Sequence, residues 1–196
     1  MFRWIRKSAL DPLAVSMSGV KLADRLLVIG CSDPSLIAAL GAKVGLTGRA
    51  CAVDDDPSLV ASAAQIAERE GVLIESAPAP GLKVPYPAES FDVVVVRDTG
   101  SSTMTKPGSP VFAEAWRVLR PGGRCLAIQG ETRGGISGLF GASRPPQAGA
   151  VTTVFQSAGF LAVRTLAERE GLLYLEGVKP AGQTSAPKAE APISHT

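Results

Sequence analysis

Four strand endings, each meeting a turn or the start of a helix, constrain the fold of this chain more than any other feature. Asp24-Arg-Leu-Leu-Val-Ile-Gly30 is followed by Arg49-Ala-Cys-Ala-Val-Asp-Asp55 and then by Phe91-Asp-Val-Val-Val-Val-Arg97. Glu114-Ala-Trp-Arg-Val-Leu-Arg-Pro-Gly-Gly123 leads into Arg124-Cys-Leu-Ala-Ile128. Short apolar runs separated by helix-length stretches predict strands buried on both faces of a parallel sheet. Ligands of such sheets bind beyond the carboxyl ends of the strands, which is where this chain carries its glycine and its acids.

The elements between these endings follow from their caps and breakers. Residues 2–19 read as a leading amphipathic helix whose second half starts at Pro12, with Phe2, Trp4 and Ile5 beside Arg3, Arg6 and Lys7. Such a helix could rest on a membrane surface or a partner, or pack across the mouth of the domain. Strand one is Arg25 to Ile29, and its helix runs from Pro34 to Val44, capped by Asp33 or Ser32 and stopped at Gly45. Strand two is Arg49 to Val53, and the next helix begins at Pro57 behind Asp56 and stops at Gly71. Strand three reads as Val72 to Glu75, after which the prolines from Pro78 to Pro87 keep the chain out of helix and central strand alike.

Strand four, Asp92 to Val96, is the most apolar and is expected at the centre of the sheet. A helix over 110–119, a Pro121-Gly122-Gly123 turn and strand five, Arg124 to Gln129, follow. The glycine-rich stretch from Gly130 to Gly149 carries Arg133 and Arg144 and would sit over the site. After a helix over 150–158, residues 159–166 and 172–178 read as a hairpin turning at 168–171. The pentapeptide Ala-Glu-Arg-Glu-Gly occurs at 67–71 and again at 167–171, but one copy ends a helix and the other turns a hairpin, so it marks no repeat.

This series, in this order, resembles the class I S-adenosylmethionine (SAM)-dependent methyltransferases, in particular the small-molecule type whose core ends in Arg-Val-Leu-Arg-Pro-Gly-Gly. The resemblance covers roughly residues 20–178. It implies an α/β, Rossmann-like, doubly wound and mostly parallel seven-stranded sheet with a C-terminal antiparallel hairpin. The implied organisation is an N-terminal helix over 1–20, a methyltransferase-like domain over 21–179 and a disordered tail over 180–196.

The resemblance also implies a cofactor site. The family pattern after strand one is an acid and three glycines at alternate positions, where this chain has Val28-Ile-Gly30-Cys-Ser32-Asp-Pro34. Only Gly30 is kept. Ser32 and Pro34 replace glycines, and Val28 stands in place of the acid that anchors the ammonium end of the cofactor. Asp33 takes over that charge or caps the following helix. Asp54 matches the acid that accepts from the ribose hydroxyls, with Asp55 beside it, or is a solvated strand-end acid. The adenine position falls on Ser76-Ala77, or on Pro80-Gly81 if counted back from Phe91. Arg97 closes strand four at the edge of the same pocket.

Methyl transfer from a sulfonium needs in-line positioning more than a catalytic side chain. Asp98 and Glu131 are the candidates for a base, and both also read as loop acids in solvent; the single histidine, His195, lies in the tail. Three functions are therefore weighed: a SAM-dependent methyltransferase of a small molecule, a methyltransferase-like binding or scaffold protein, and a dinucleotide-dependent oxidoreductase. The last needs G-x-G-x-x-G after strand one, which Gly30-Cys-Ser-Asp-Pro-Ser35 does not provide.

Bulk composition narrows the field further. With 196 residues, 45% hydrophobic and 19% charged, the chain has a globular composition and enough length for one substantial core. A net charge of +2 is not the basic footprint of a nucleic-acid binder. Cys31, Cys51 and Cys125 have no paired spacing and read as buried, reduced thiols. No stretch approaches the ~20 apolar residues that span a bilayer, no signal-peptide pattern follows the basic start, and no metal-ligand cluster is apparent, so the expectation is a cytoplasmic protein.

Overall fold

The computed structural model describes residues 12–80, 83–98, 104, 110–130, 148–169 and 171–182. In chain order these form α1 (Pro12–Ser18), β1 (Arg25–Ile29), α2 (Pro34–Val44), β2 (Arg49–Asp54), α3 (Pro57–Arg69), β3 (Glu75–Pro78) and β4 (Phe91–Asp98). They continue with α4 (Pro110–Val118), β5 (Leu119–Gln129), α5 (Ala148–Ser157), β6 (Leu161–Arg169) and β7 (Leu172–Val178). The seven strands lie in one sheet in the order β3-β2-β1-β4-β5-β7-β6. Strands β1 to β5 pair parallel, and β7 enters antiparallel between β5 and β6. The valine run of β4 takes the central place, where a β-branched residue on either side meets a packed layer.

Strand alternation sorts the core into two layers. Leu27, Val53, Val94, Val96 and Ala127 face α4 and α5, while Leu26, Val28, Val93, Val95 and Leu126 face α1, α2 and α3. Helices α2 and α3 start alike: Asp33 accepts from the Leu36 N–H and Asp56 from the Ser58 N–H, each with proline next in sequence. Of the two caps open for α2, the structure uses Asp33. The described part of the leading helix, α1, is pinned to the domain where Lys43 Nζ donates to the Val15 carbonyl at 3.4 Å and the Arg124 guanidinium to that of Ser18. The remainder of the expected helix, with its basic and aromatic residues, lies outside the described residues.

Several boundaries differ from the sequence reading: β6 continues to Arg169, so that 168 and 169 pair with β7 instead of turning, and two further differences change the edges of the sheet. Strand β3 begins at Glu75 rather than Val72, because Val72 and Ile74 pack against Gly41 of α2 and pairing starts only where Glu75 meets Cys51. The edge position of β3 also explains how Pro78 is tolerated in it. Strand β5 begins at Leu119, and Arg120 to Gly123 form a bulge opposite Asp92 rather than a turn before the strand. Gly122 takes φ +75°, and Gly122 and Gly123 exchange backbone hydrogen bonds with Lys179. Buried Lys179 holds that end closed, with Nζ 2.7 Å from the Leu119 carbonyl and 4.0 Å from the centre of the Trp116 ring.

The amino-terminal edge of the sheet is tied by Asp92. It accepts from the Arg25 backbone N–H at 2.7 Å and from the Arg25 and Arg120 guanidinium groups. Partial burial works against its charge, but the hydrogen bonds from Arg25 and Arg120 prevail and hold its pKa at about 2. A depressed folded-state pKa contributes stability that is full above the unfolded value of ~3.9 and lost as pH falls through the folded one. Asp92→Asn is therefore expected to cost ~1–2 kcal/mol at pH 7, since both arginines are half-exposed and water screens the pairs. Urea unfolding of the two proteins should converge between pH ~4 and ~2.

Candidate functional site

The order of the sheet reverses direction between β1 and β4, and ligands of such sheets bind in the crevice outside the carboxyl edge at that point. The loop after β1 enters that crevice under tight constraint. Gly30 N–H donates to the Val53 carbonyl at 2.8 Å, and Gly30 takes φ +99°. A Cβ placed there would lie 2.1 Å from the Arg97 carbonyl oxygen of β4. Only glycine can pass between β2 and β4 in this way.

Asp54, the last residue of β2, ties three loops together. Its carboxylate accepts from Cys31 N–H at 2.6 Å in the loop after β1 and from Asp56 N–H at 3.0 Å in its own loop. Its backbone carbonyl accepts from Ala79 N–H at 2.7 Å in the loop after β3. The residue is buried, 7% exposed. A carboxylate offers about four acceptor positions, so two remain beyond these backbone donors, one of them shared with the neighbouring Asp55. The acids that follow divide the remaining work. Asp55 is exposed and its pKa is raised by a hydrogen bond with the Asp54 carboxylate and the adjoining charge, whereas Asp56 caps α3 and its pKa is lowered by Ser58.

Gly30, Ser32, Asp54 and Asp55 are thus brought together. Among the described residues Ser32 Oγ is buried without a hydrogen-bond partner, in a loop whose Gly30 and Cys31 N–H groups are engaged. Asp33 caps α2 through its Oδ1, and Val28, 1% exposed, is packed in the core, so no acid stands at the level where the family has one. Ser76 and Ala77 do not end their strand. The register sets them beside Ala52 and Val53, and Pro78 beside Asp54, so the carboxyl end of β3 is Pro78-Ala79. The later start of β3 causes this displacement, and the sequence gives no sign of it.

Arg97 is buried, and its guanidinium donates to the carbonyls of Ile128 at 3.3 Å and Gly130 at 2.9 Å, bracing the end of β5. Asp98 ends β4 opposite Gln129 of β5. Glu131, Arg133, Arg144 and Pro80's neighbour Gly81 lie outside the described residues. Among the described residues no cluster of His, Cys, Asp or Glu could hold a metal, and no helix is long and apolar enough to cross a membrane. Cys31 is fully buried beside this loop, and burial, aided by the Asp54 charge, pushes its thiol up to about 12. Cys51 and Cys125 are raised by burial as well. All three thiols are therefore expected to resist a chromogenic disulfide reagent at pH 8 until the protein is unfolded in denaturant, when all three should react.

An open doubly wound sheet with its switch point between β1 and β4 and an antiparallel hairpin at its end defines an α/β domain of the kind that binds ligands at the carboxyl ends of its strands. Comparison with known proteins gives the family. The profile of the methyltransferase domain family matches residues 27–127, and the chain belongs to that family, the class I SAM-dependent methyltransferases. Among characterised relatives, a ubiquinone/menaquinone biosynthesis C-methyltransferase, UbiE, of Chromobacterium violaceum is 30% identical over 59% of this chain and 46% of its own length. A nocamycin O-methyltransferase of Saccharothrix syringae is 29% identical over 85% of this chain and 68% of its own. The chain thus spans about half the length of the first of these relatives. A SAM-dependent methyltransferase from Aquifex aeolicus shares the fold, with TM-score 0.69 at 18% identity over 86% of this chain and 89% of that one.

Proposed function

We propose that this chain binds SAM at the carboxyl ends of β1, β2 and β3 and transfers its methyl group to a small molecule held over β4 and β5. The observation that carries this reading is the convergence of three loops on Asp54 beside the unpartnered, buried hydroxyl of Ser32. The residues fit the adenosyl half of the cofactor: Gly30 opens the backbone, Asp54 and Asp55 offer carboxylate oxygens to a ribose diol, and Pro78-Ala79 lie level with them. Ser32 would meet the methionine end. Bound SAM supplies an activated methyl group on a sulfonium. The chain's own contribution is to hold donor and acceptor in line and keep water out, and positioning of that kind can supply most of the acceleration.

A second reading is favoured by Val28. With an apolar, buried residue where the family has its acid, and with Asp33 engaged in capping, the ammonium end of SAM has no anionic partner on this loop. The domain would then be a methyltransferase-like binding or scaffold module. Calorimetric titration with SAM and with S-adenosylhomocysteine separates the two. A dissociation constant at or below about 100 µM for either supports the first reading, and each tenfold step in affinity corresponds to ~1.4 kcal/mol. Absence of heat at millimolar ligand supports the second and removes the first.

A further inference from the structure

Gln129 offers a second unpartnered polar group at the carboxyl edge, on the opposite side of β4 from Ser32. Among the described residues its Oε1 is buried without a hydrogen-bond partner. It is the last residue of β5, level with Asp98 of β4 on one side and Leu173 of β7 on the other. By strand alternation its side chain shares the α4/α5 face with Cys125 and Ala127, where Val96 and Leu173 supply an apolar surround. The backbone on either side of it is fixed. Arg97 grips the carbonyls of Ile128 and Gly130, and Gly130, at φ +112°, sits so close to the hairpin that a Cβ would lie 2.2 Å from the Gly171 carbonyl oxygen.

A buried amide oxygen that no described residue satisfies destabilises the ligand-free fold, and such atoms are rare enough to need a cause. What this oxygen lacks, on so rigid a backbone, is a donor. Among the described residues the remaining unpartnered buried atom, Trp116 Nε1, belongs to the ring beneath Lys179 near the start of β5, away from this edge.

We propose that Gln129 determines specificity for the methyl acceptor: its amide carbonyl accepts a hydrogen bond from a hydroxyl or amine N–H carried on an otherwise apolar small molecule. Calling that molecule the acceptor rests on the methyltransferase reading. The contact itself does not.

The test uses the full chain and a matched pair of probes, 2-naphthol and 2-methoxynaphthalene, titrated by ligand-observed NMR with and without S-adenosylhomocysteine. The parent is expected to prefer the naphthol by about tenfold, the worth of one hydrogen bond to an otherwise unpaired group, and Gln129→Met to reduce that preference to below about twofold. The ligand-free variant should melt at the same temperature as the parent or higher, because a buried amide oxygen without a donor has been replaced by an apolar chain of similar size. Equal binding of both probes by the parent, absence of binding by either, or an undiminished preference in Gln129→Met overturns the proposal. So does a fall in Tm of about 4 °C or more, which would mark Gln129 as a structural hydrogen-bonding residue. A Gln129-dependent preference in a protein that ignores SAM leaves this site standing and removes only the methyl-transfer reading.

Discussion

Gly30→Ala should be among the most damaging single-atom changes in the molecule, lowering stability by ~3–5 kcal/mol and abolishing SAM binding. The new Cβ would sit 2.1 Å from the Arg97 carbonyl oxygen at a φ of +99°, so neither rotation of a side chain nor a small backbone adjustment relieves it. The Gly30 N–H is meanwhile bonded to the Val53 carbonyl, which prevents the loop from backing away without breaking the edge of the sheet. Gly149→Ala is the matched control. That glycine lies in α5 with nothing within 4 Å of its added Cβ, and alanine there should be neutral or stabilising by up to ~1 kcal/mol. Urea midpoints for the two variants check the contrast, and equal midpoints would contradict the close approach of β1 and β4.

Asp54→Ala is expected to lose both stability and ligand. Two backbone donors lose a charged acceptor, one of them the N–H of fully buried Cys31, and the cost should be about 3 kcal/mol. Binding of SAM should weaken by about a hundredfold, the equivalent of two hydrogen bonds at ~1.4 kcal/mol each. Asp55→Ala, an exposed position, should leave the urea midpoint unchanged and weaken binding by less. Calorimetry on the three proteins measures this ordering. An Asp54→Ala protein that binds as tightly as the parent would take the ribose away from that carboxylate.

Much of the architecture was legible because strand content, caps and stops agree with one another. Val93 to Val96 reads as a buried strand and lies at the centre, and the Asp-Pro pairs 33–34 and 56–57 read as helix starts and are. What escaped depended on pairing between distant segments. Val72-Leu-Ile74 has strand composition, yet α2 claims two of its side chains, and β3 forms three residues later where Glu75 also pairs with Arg49 at 2.6 Å. That shift moves the end of β3 from Ser76-Ala77 to Pro78-Ala79. Ala67-Glu-Arg69 is helical and Ala167-Glu-Arg169 is a strand, because the first copy extends an amphipathic helix and the second pairs with β7. At the site, Gly30 and Asp54 could be found from their positions after strands. The joining of three loops at Asp54 and the unpaired amide of Gln129 could not, since both arise from register and carry no motif.

The most direct measurement is amide chemical-shift mapping of the isotope-labelled protein on addition of S-adenosylhomocysteine. The account predicts that the largest changes fall on Gly30 to Ser32, Asp54 to Asp56 and Ala79, with the amino-terminal edge around Arg25 and Asp92 unmoved. Changes confined to any other part of the domain, or none at millimolar ligand, would contradict it.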